Sequence, residues 1–278
     1  MVNQRSILIT GCSSGIGYCC AKGMRQRGWR VFATARQDDD LKRLEAEGLE
    51  ALYLDYTEAH SVAACAADAG KRTGGRLDAL FNNGAYGQPG AVEDLTREVL
   101  EAQFSANVFG WHQLATACLP LMRTNGSGRI VQCSSVLGLV ALKWRGAYNA
   151  SKFAIEALSD TMRLELGGSG IFVSLIEPGP ITSRFTEHAL NAFERNIDQS
   201  TSNYKAAYER QRARLGKGGS NRYKLGPEAV LDKLVHALES PRPHARYFVT
   251  KPTAYMAIAR RVLPQRVLDF VLDKASDQ

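Results

Sequence analysis

Six cysteines are all that this chain of 278 residues offers for disulfides or soft-metal ligation. Cys12, Cys19, Cys20, Cys65, Cys118 and Cys133 lie in apolar or glycine-rich stretches without metal-ligand spacing, so no metal site is expected. No secretory leader is legible, because the N-terminus runs at once into a strand pattern; the expectation is reduced thiols in a cytoplasm. Also missing is any run of Lys and Arg with interleaved aromatics, since the net charge of +7 is spread along the chain. That argues against nucleic acid as a partner and makes most of the charge a solvated face. Internal repeats and low-complexity linkers are absent as well. One domain over residues 1–278 is therefore expected, and 45% hydrophobic residues can build it a sizeable core.

What the chain does have is alternation. Short apolar runs, "SILIT", "RVFATA", "ALYLD", "ALFNN", "RIVQCSS", "FVSLIEPG" and finally "RYFVT" at Arg246 to Thr250, are separated by helical stretches. Strands without polar alternation are buried on both faces, so helices must cover both sides of a parallel sheet. The predicted fold is α/β, a doubly wound parallel sheet of the Rossmann type with about seven strands. The polar, basic segment from Thr182 to Leu225, with Tyr204, Tyr208 and Tyr223, breaks the alternation. It reads as an insertion with neither a strand nor a clean amphipathic helix. Its place after the sixth strand predicts a mobile lid over a site.

After the first strand comes "TGCSSGIG", Thr10 to Gly17, with Gly11, Gly15 and Gly17 around Ser13, Ser14 and Ile16. The commoner Gly-x-Gly-x-x-Gly spacing is not there. A strand before and a helix after still make this a tight turn with free backbone N–H groups at a helix N-terminus, where the dipole favours a pyrophosphate. At the end of the second strand, where an acidic side chain would take a ribose 2'-hydroxyl, stands Arg36, a fixed cation suited to a 2'-phosphate. NADP is therefore favoured; the alternative, a solvated Arg36 with Asp38, Asp39 or Asp40 folding back to the ribose, stays open. Asp55 after the third strand lies at the adenine edge, and Asn82 and Gly84 after the fourth would let backbone approach the adenosine.

The Tyr-x-x-x-Lys spacing occurs three times, at Tyr18/Lys22, Tyr148/Lys152 and Tyr247/Lys251. The third pair is on or just after a strand, where four residues span about 13 Å, too far for one group to tune the other. Tyr18 and Lys22 share a helix face but at the pyrophosphate end, and read as structural. Tyr148 and Lys152 follow the fifth strand, whose carboxyl end delivers Ser134 and Ser135 to the edge where such sheets bind ligands.

In combination, "TGCSSGIG", "NNGA", Asn107 in a helical stretch, Ser135 ahead of Tyr148, Lys152 and "PGPITS" resemble the short-chain dehydrogenase/reductase superfamily over essentially the whole chain. Within it, "GCSSGIG", "FSANVFG", "RGAY" and "SLIEPGPI" are similar to bacterial NADP-dependent aldehyde reductases, relatives of retinol and hydroxysteroid dehydrogenases. The resemblance implies hydride transfer between NADPH and a carbonyl. Tyr148 would give the proton, Lys152 would draw its pKa toward working pH and hold the nicotinamide ribose, and Ser135 would orient the carbonyl. Asn107 would steady a water-linked proton path. Pro178, Gly179, Ile181 and Ser183 would line the nicotinamide, and a homodimer or homotetramer would form through the helices of Asn107 and Tyr148. Two departures stand out: Asn82, Asn83, Gly84, Ala85 replace the usual Asn-Asn-Ala-Gly, and Ser183 stands where Thr is common, with Thr182 as an alternative hydroxyl. Ser134 is the alternative to Ser135, one residue out of place.

Leu137, Leu139, Val140 and Leu142, with Trp144 and Phe185, predict an apolar cavity for a hydrophobic aldehyde or ketone, or the alcohol in reverse. A non-catalytic NADP sensor on the same fold is the rival, against which the intact Ser, Tyr and Lys argue. In the tail, residues 253–278, the stretch from Tyr255 to Lys274 mixes arginines with apolar residues and is broken by Pro264, so it is not expected to span a bilayer. Packing on the body or on a partner subunit is the favoured expectation. A membrane surface, as for a retinoid or steroid dehydrogenase bound there, is the other.

Overall fold

The computed structural model describes residues 4–216 and 223–276. Seven strands, β1 (Ser6–Ile9), β2 (Arg30–Ala35), β3 (Glu50–Tyr53), β4 (Ala79–Asn82), β5 (Gly128–Cys133), β6 (Ile171–Glu177) and β7 (Arg246–Phe248), form one sheet in the order β3-β2-β1-β4-β5-β6-β7. Every neighbouring pair runs parallel. Between the strands lie α1 (Gly15–Gln26), α2 (Asp38–Ala46), α3 (Ala59–Arg72), α4 (Arg97–Phe104), α5 (Gly110–Asn125), α6 (Gly146–Glu165), α7 (Phe185–Asn196), α8 (Lys205–Gly216) and α9 (Glu228–Glu239). After β7 come α10 (Lys251–Val262) and α11 (Gln265–Ser276).

Successive strand residues face opposite ways and are apolar on both sides, which is why no polar alternation shows in the sequence. Ile7, Ile9, Ala33 and Phe81 pack with Cys20 and Met24 of α1 and Leu234 of α9. Leu8, Phe32, Leu80 and Ile130 pack on the other side with Val62 of α3 and Leu114 of α5. The strand order reverses between β1 and β4, so a crevice opens at their carboxyl ends.

The segment from Thr182 to Leu225 departs from expectation. It carries two helices, α7 and α8, and residues 217–222 lie outside the described residues. Helix α7 buries Ala189, Ala192 and Phe193, at i, i+3 and i+4, a narrow apolar face that the surrounding charges mask. Phe193, Ile197 and Tyr208 then pack with Ala91, against Leu95, Trp144 and Tyr204. The ends of the segment are tied together: Thr182 N–H donates to the Leu225 carbonyl at 2.9 Å, and Leu225 N–H to the Pro180 carbonyl at 3.1 Å. In the tail, α10 and α11 turn one face inward and leave the other exposed, so packing on the body accounts for only half of it. Among the described residues no helix is long and apolar enough to cross a membrane.

Candidate active site

At the crevice, Gly11 (φ +68) and Gly15 (φ +57) hold left-handed conformations. A Cβ on Gly17 would lie 2.2 Å from the Gly11 carbonyl oxygen, and one on Gly11 would fall 2.5 Å from the Gly84 Cα, so the loops after β1 and β4 touch backbone to backbone. Ser14 is the N-cap of α1, yet its side chain makes no capping bond and the first turn holds no acidic residue. With Ser13, Ser14 and Ile16 around it, this helix end keeps its N–H groups from the chain's own carboxylates, and the donor set fits a dinucleotide pyrophosphate. Ser183 closes on the same loop: a Cβ on Gly15 would stand 3.0 Å from its Cβ. Its hydroxyl accepts from Phe185 N–H at 3.3 Å, whereas Thr182 is exposed. Pro178 accepts from Val136 N–H at 2.9 Å, and Gly179 is packed so tightly on Thr250 that a Cβ would come within 2.2 Å of its hydroxyl. Ile181 bridges to Leu225. Pro178 to Ser183 thus form a second wall facing the glycine loop.

Tyr148 and Lys152 rise from the first two turns of α6, beside the carboxyl end of β5. Ser135 follows β5 as the cap of a short turn, accepting from Leu137 N–H at 3.1 Å, and its hydroxyl faces the Tyr148 phenol. Ser134 is buried and faces Glu156 across Gly138, where a Cβ would sit 2.7 Å from the Ser134 Oγ and 2.9 Å from the Glu156 Cγ. Of the two serines, Ser135 meets the phenol. Lys152 is fully buried; its Nζ donates to the Cys133 carbonyl at 2.8 Å and sits 4.2 Å from the Trp111 ring centre and 5.6 Å from that of Tyr148. Burial pushes the Lys152 ammonium down to about 8. Burial also lifts the Tyr148 phenol above its ordinary range, and the Ser135 hydroxyl recovers only part of that. The expected downward pull of Lys152 on Tyr148 is therefore not met, because desolvation outweighs an attraction acting across 5.6 Å. At neutral pH the phenol keeps its proton.

Asn107 lies in a π-turn, Ser105–Phe109, joining α4 to α5, a distortion that often marks a functional position. It is fully buried, accepts from Tyr86 N–H at 3.2 Å, and donates to the Tyr86 carbonyl at 2.8 Å and to Ser151 Oγ at 3.3 Å. These partners hold it one helical neighbour away from Lys152. Phe185, at the start of α7, meets the Tyr148 ring edge-on at 5.3 Å between centroids.

At the other end of the crevice, Arg36 leaves β2 with its side chain 66% exposed and 3.6 Å from Asp55. Asp38 and Asp39 occupy the first turn of α2, and Asp40 there pairs with Arg43 at 2.8 Å. Asn82, unlike Gly84, is committed inside the fold: its side chain accepts from Tyr56 Oη at 2.7 Å and donates to the Trp111 carbonyl at 3.1 Å. Two features were not expected from sequence. Arg43 reaches 30 residues back to donate to the Ser13 carbonyl at 2.8 Å, bracing the glycine loop. Behind Lys152, Arg246 of β7 faces Glu156, Asp160 at 2.5 Å and Glu177 at 2.5 Å. Arg163 takes up Asp160 as well at 2.9 Å, which leaves Glu156 and Glu177 to share Arg246, and burial with Glu156 close by raises Glu177 to about 8. No short-range spacing signals either feature.

Comparisons with known proteins give the family. Residues 5–193 match the family model described as short chain dehydrogenase. This chain belongs to the short-chain dehydrogenase family. It is 43% identical over 271 residues, 98% of this chain and 95% of the other, to the uncharacterized oxidoreductase YbbO of Escherichia coli (strain K12). It is 34% identical over 257 residues, 88% of this chain and 77% of the other, to human 17-beta-hydroxysteroid dehydrogenase type 1. Among solved structures it resembles a variant of actinorhodin polyketide ketoreductase with NADPH, at 26% identity and a TM-score of 0.71, covering 88% of this chain and 95% of that one. The chain is thus an oxidoreductase of this family, acting on CH–OH type substrates.

Proposed function

We propose that the protein is an NADP-dependent reductase of apolar aldehydes and ketones, running in reverse on the alcohols. The observation that carries this reading is Tyr148, a phenol kept protonated by burial, facing Ser135 and four residues from buried Lys152. A bound nicotinamide cofactor supplies the hydride. As hydride adds to the carbonyl carbon, the Ser135 hydroxyl donates to the oxygen, and Tyr148 passes its proton to the same oxygen to give the alcohol. The Lys152 ammonium stabilises the phenolate left behind, and the phenolate regains a proton from solvent. Asn107, fixed by Tyr86 and Ser151, shapes the polar floor of that return path.

Arg36 supports NADP over NAD, because it is exposed at the end of β2 while Asp38 and Asp39 sit in the first turn of α2 and Asp40 there is paired with Arg43. Asp55 steadies that guanidinium, and Gly84 lets the loop after β4 close on Gly11 of the glycine loop. An apolar substrate is supported by Phe185, whose ring meets Tyr148, and by the steroid in the name of the human relative. The segment from Thr182 to Leu225 acts as a lid, hinged at its tied ends and touching Tyr148 through Phe185. A cytoplasmic home and self-association complete the reading; Phe109 just before α5, and Leu158 and Leu164 along α6, leave apolar side chains exposed. A screen of NADPH oxidation over aliphatic, aromatic, isoprenoid and steroid carbonyls tests it. Turnover of apolar members, with short sugars left untouched, is expected. NADPH binding without turnover of any carbonyl would favour the sensor instead.

A further inference from the structure

Each of the two C-terminal helices carries an exposed apolar stripe that ends in a lysine. On α10, Tyr255 (63% exposed), Ile258 (59%) and Val262 (68%) stand at i, i+3 and i+7, one turn after Lys251. On α11, Val267 (46%) and Phe270 (60%) continue at i and i+3 into Lys274, whose ammonium lies 4.5 Å from the Phe270 ring centre. The inner faces of both helices meet the same stretch. Arg260 donates to the Leu139 carbonyl at 2.6 Å, while Leu268 and Ser276 line a cavity of about 480 Å³ with Val140 and Lys143. Both helices are thus fastened to residues 139–143, and each leaves its stripe exposed.

The charge around the stripes is one-sided. Lys251, Arg261 and Arg266 are exposed and, among the described residues, make no ion pair. Of the two acids on α11, Asp273 is already paired with Lys143, and Asp269 accepts from Gln265 at 2.6 Å. We infer that this face docks on the surface of an anionic lipid bilayer. Tyr255, Ile258, Val262 and Phe270 enter the headgroup boundary, Lys251 and Lys274 bend back to its phosphates, and Arg261 and Arg266 meet the negative surface from the flanks. A second copy of the chain fits less well, because a two-fold contact places this cation-rich patch against itself. The inference goes beyond the proposed reduction and adds a reason for it. The wall fastened to these helices, residues 139–143, directly follows Ser135 and its turn, so docking sets the substrate side of the site next to a reservoir of apolar carbonyls.

Flotation of the full chain with vesicles tests the inference without any turnover. Wild type is expected to float with phosphatidylcholine vesicles containing phosphatidylglycerol, less with phosphatidylcholine alone, and to be released by added salt. Ile258→Ser with Phe270→Ser should lower partitioning by at least about tenfold, while NADPH oxidation with a water-soluble aldehyde stays at the wild-type level. Arg261→Ser with Arg266→Ser should erase the preference for the anionic vesicles. Wild type that stays at the bottom of the gradient with both vesicle types overturns the inference, whatever the enzyme reduces. So does a concentration-dependent dimer in sedimentation that the apolar double variant abolishes, because it gives the face to a second copy. Flotation without any carbonyl reduction would leave the docking intact and sink only the proposed activity.

Discussion

Tyr18/Lys22 and Tyr148/Lys152 share one spacing on two helices of one sheet, yet only the second pair is placed to do chemistry. Tyr18 donates to Glu47 at 2.7 Å, and exposed Lys22 donates to Tyr18 Oη at 3.3 Å and pairs with Glu47 at 3.3 Å. Hydrogen bonds to Tyr18 and Glu47 raise Lys22, so it remains an ammonium through any working pH. Lys152 has no carboxylate at ion-pair distance among the described residues; its proton is held by a backbone carbonyl beneath an indole, and burial brings it down to about 8. A pair of groups becomes reactive when the fold withdraws water and the satisfying acid together. Arg43, over the Tyr18 ring, ties the first pair to the glycine loop it braces, at the end of the crevice away from Tyr148, its handle end, where Arg36 also stands.

If that division is right, pH should act on the two ends differently, and most strongly on the second. Lys152 is lowered, so its ammonium is present below about 8 and lost above it, whereas Lys22 stays charged beyond its ordinary value. The logarithm of kcat/KM for NADPH, which reports groups of the free enzyme, should be level near neutrality and fall with a slope of about one per pH unit above 8, roughly a hundredfold by pH 10. A flat profile to pH 10 would remove Lys152 from the mechanism. A smaller effect belongs to the handle. Arg36→Asp should raise KM for NADPH by roughly tenfold or more, the worth of a charge-assisted contact, with little change in KM for NADH or in kcat. Equal use of both cofactors by the wild type would contradict it.

The sheet was legible because strands buried on both faces leave unbroken apolar runs, and all seven runs became β1 to β7. Gly11 and Gly15 were legible because positive φ demands glycine there. Helices α7 and α8 were hidden, since Phe193 and Tyr208 bury against Ala91 while charges fill the rest of each turn. Asn82 was readable as a position but not as an orientation: its side chain turns to Tyr56 and Trp111, partners set by the fold. The direction of the Tyr148 shift escaped for the same reason. Spacing puts Lys152 on the right face, but the depth of burial and the Cys133 carbonyl are properties of packing.

The most direct measurement is single-turnover NADPH oxidation with a saturating apolar aldehyde, run side by side on wild type, Tyr148→Phe and Tyr18→Phe. Loss of the proton donor should slow Tyr148→Phe by about 10² to 10⁴ while NADPH still binds with near wild-type Kd. Tyr18→Phe should match wild type in rate and shift Tm by no more than a few degrees, since only a surface contact is lost. A Tyr148→Phe enzyme retaining more than about a tenth of the wild-type rate, or a Tyr18→Phe enzyme that loses as much, would contradict the account.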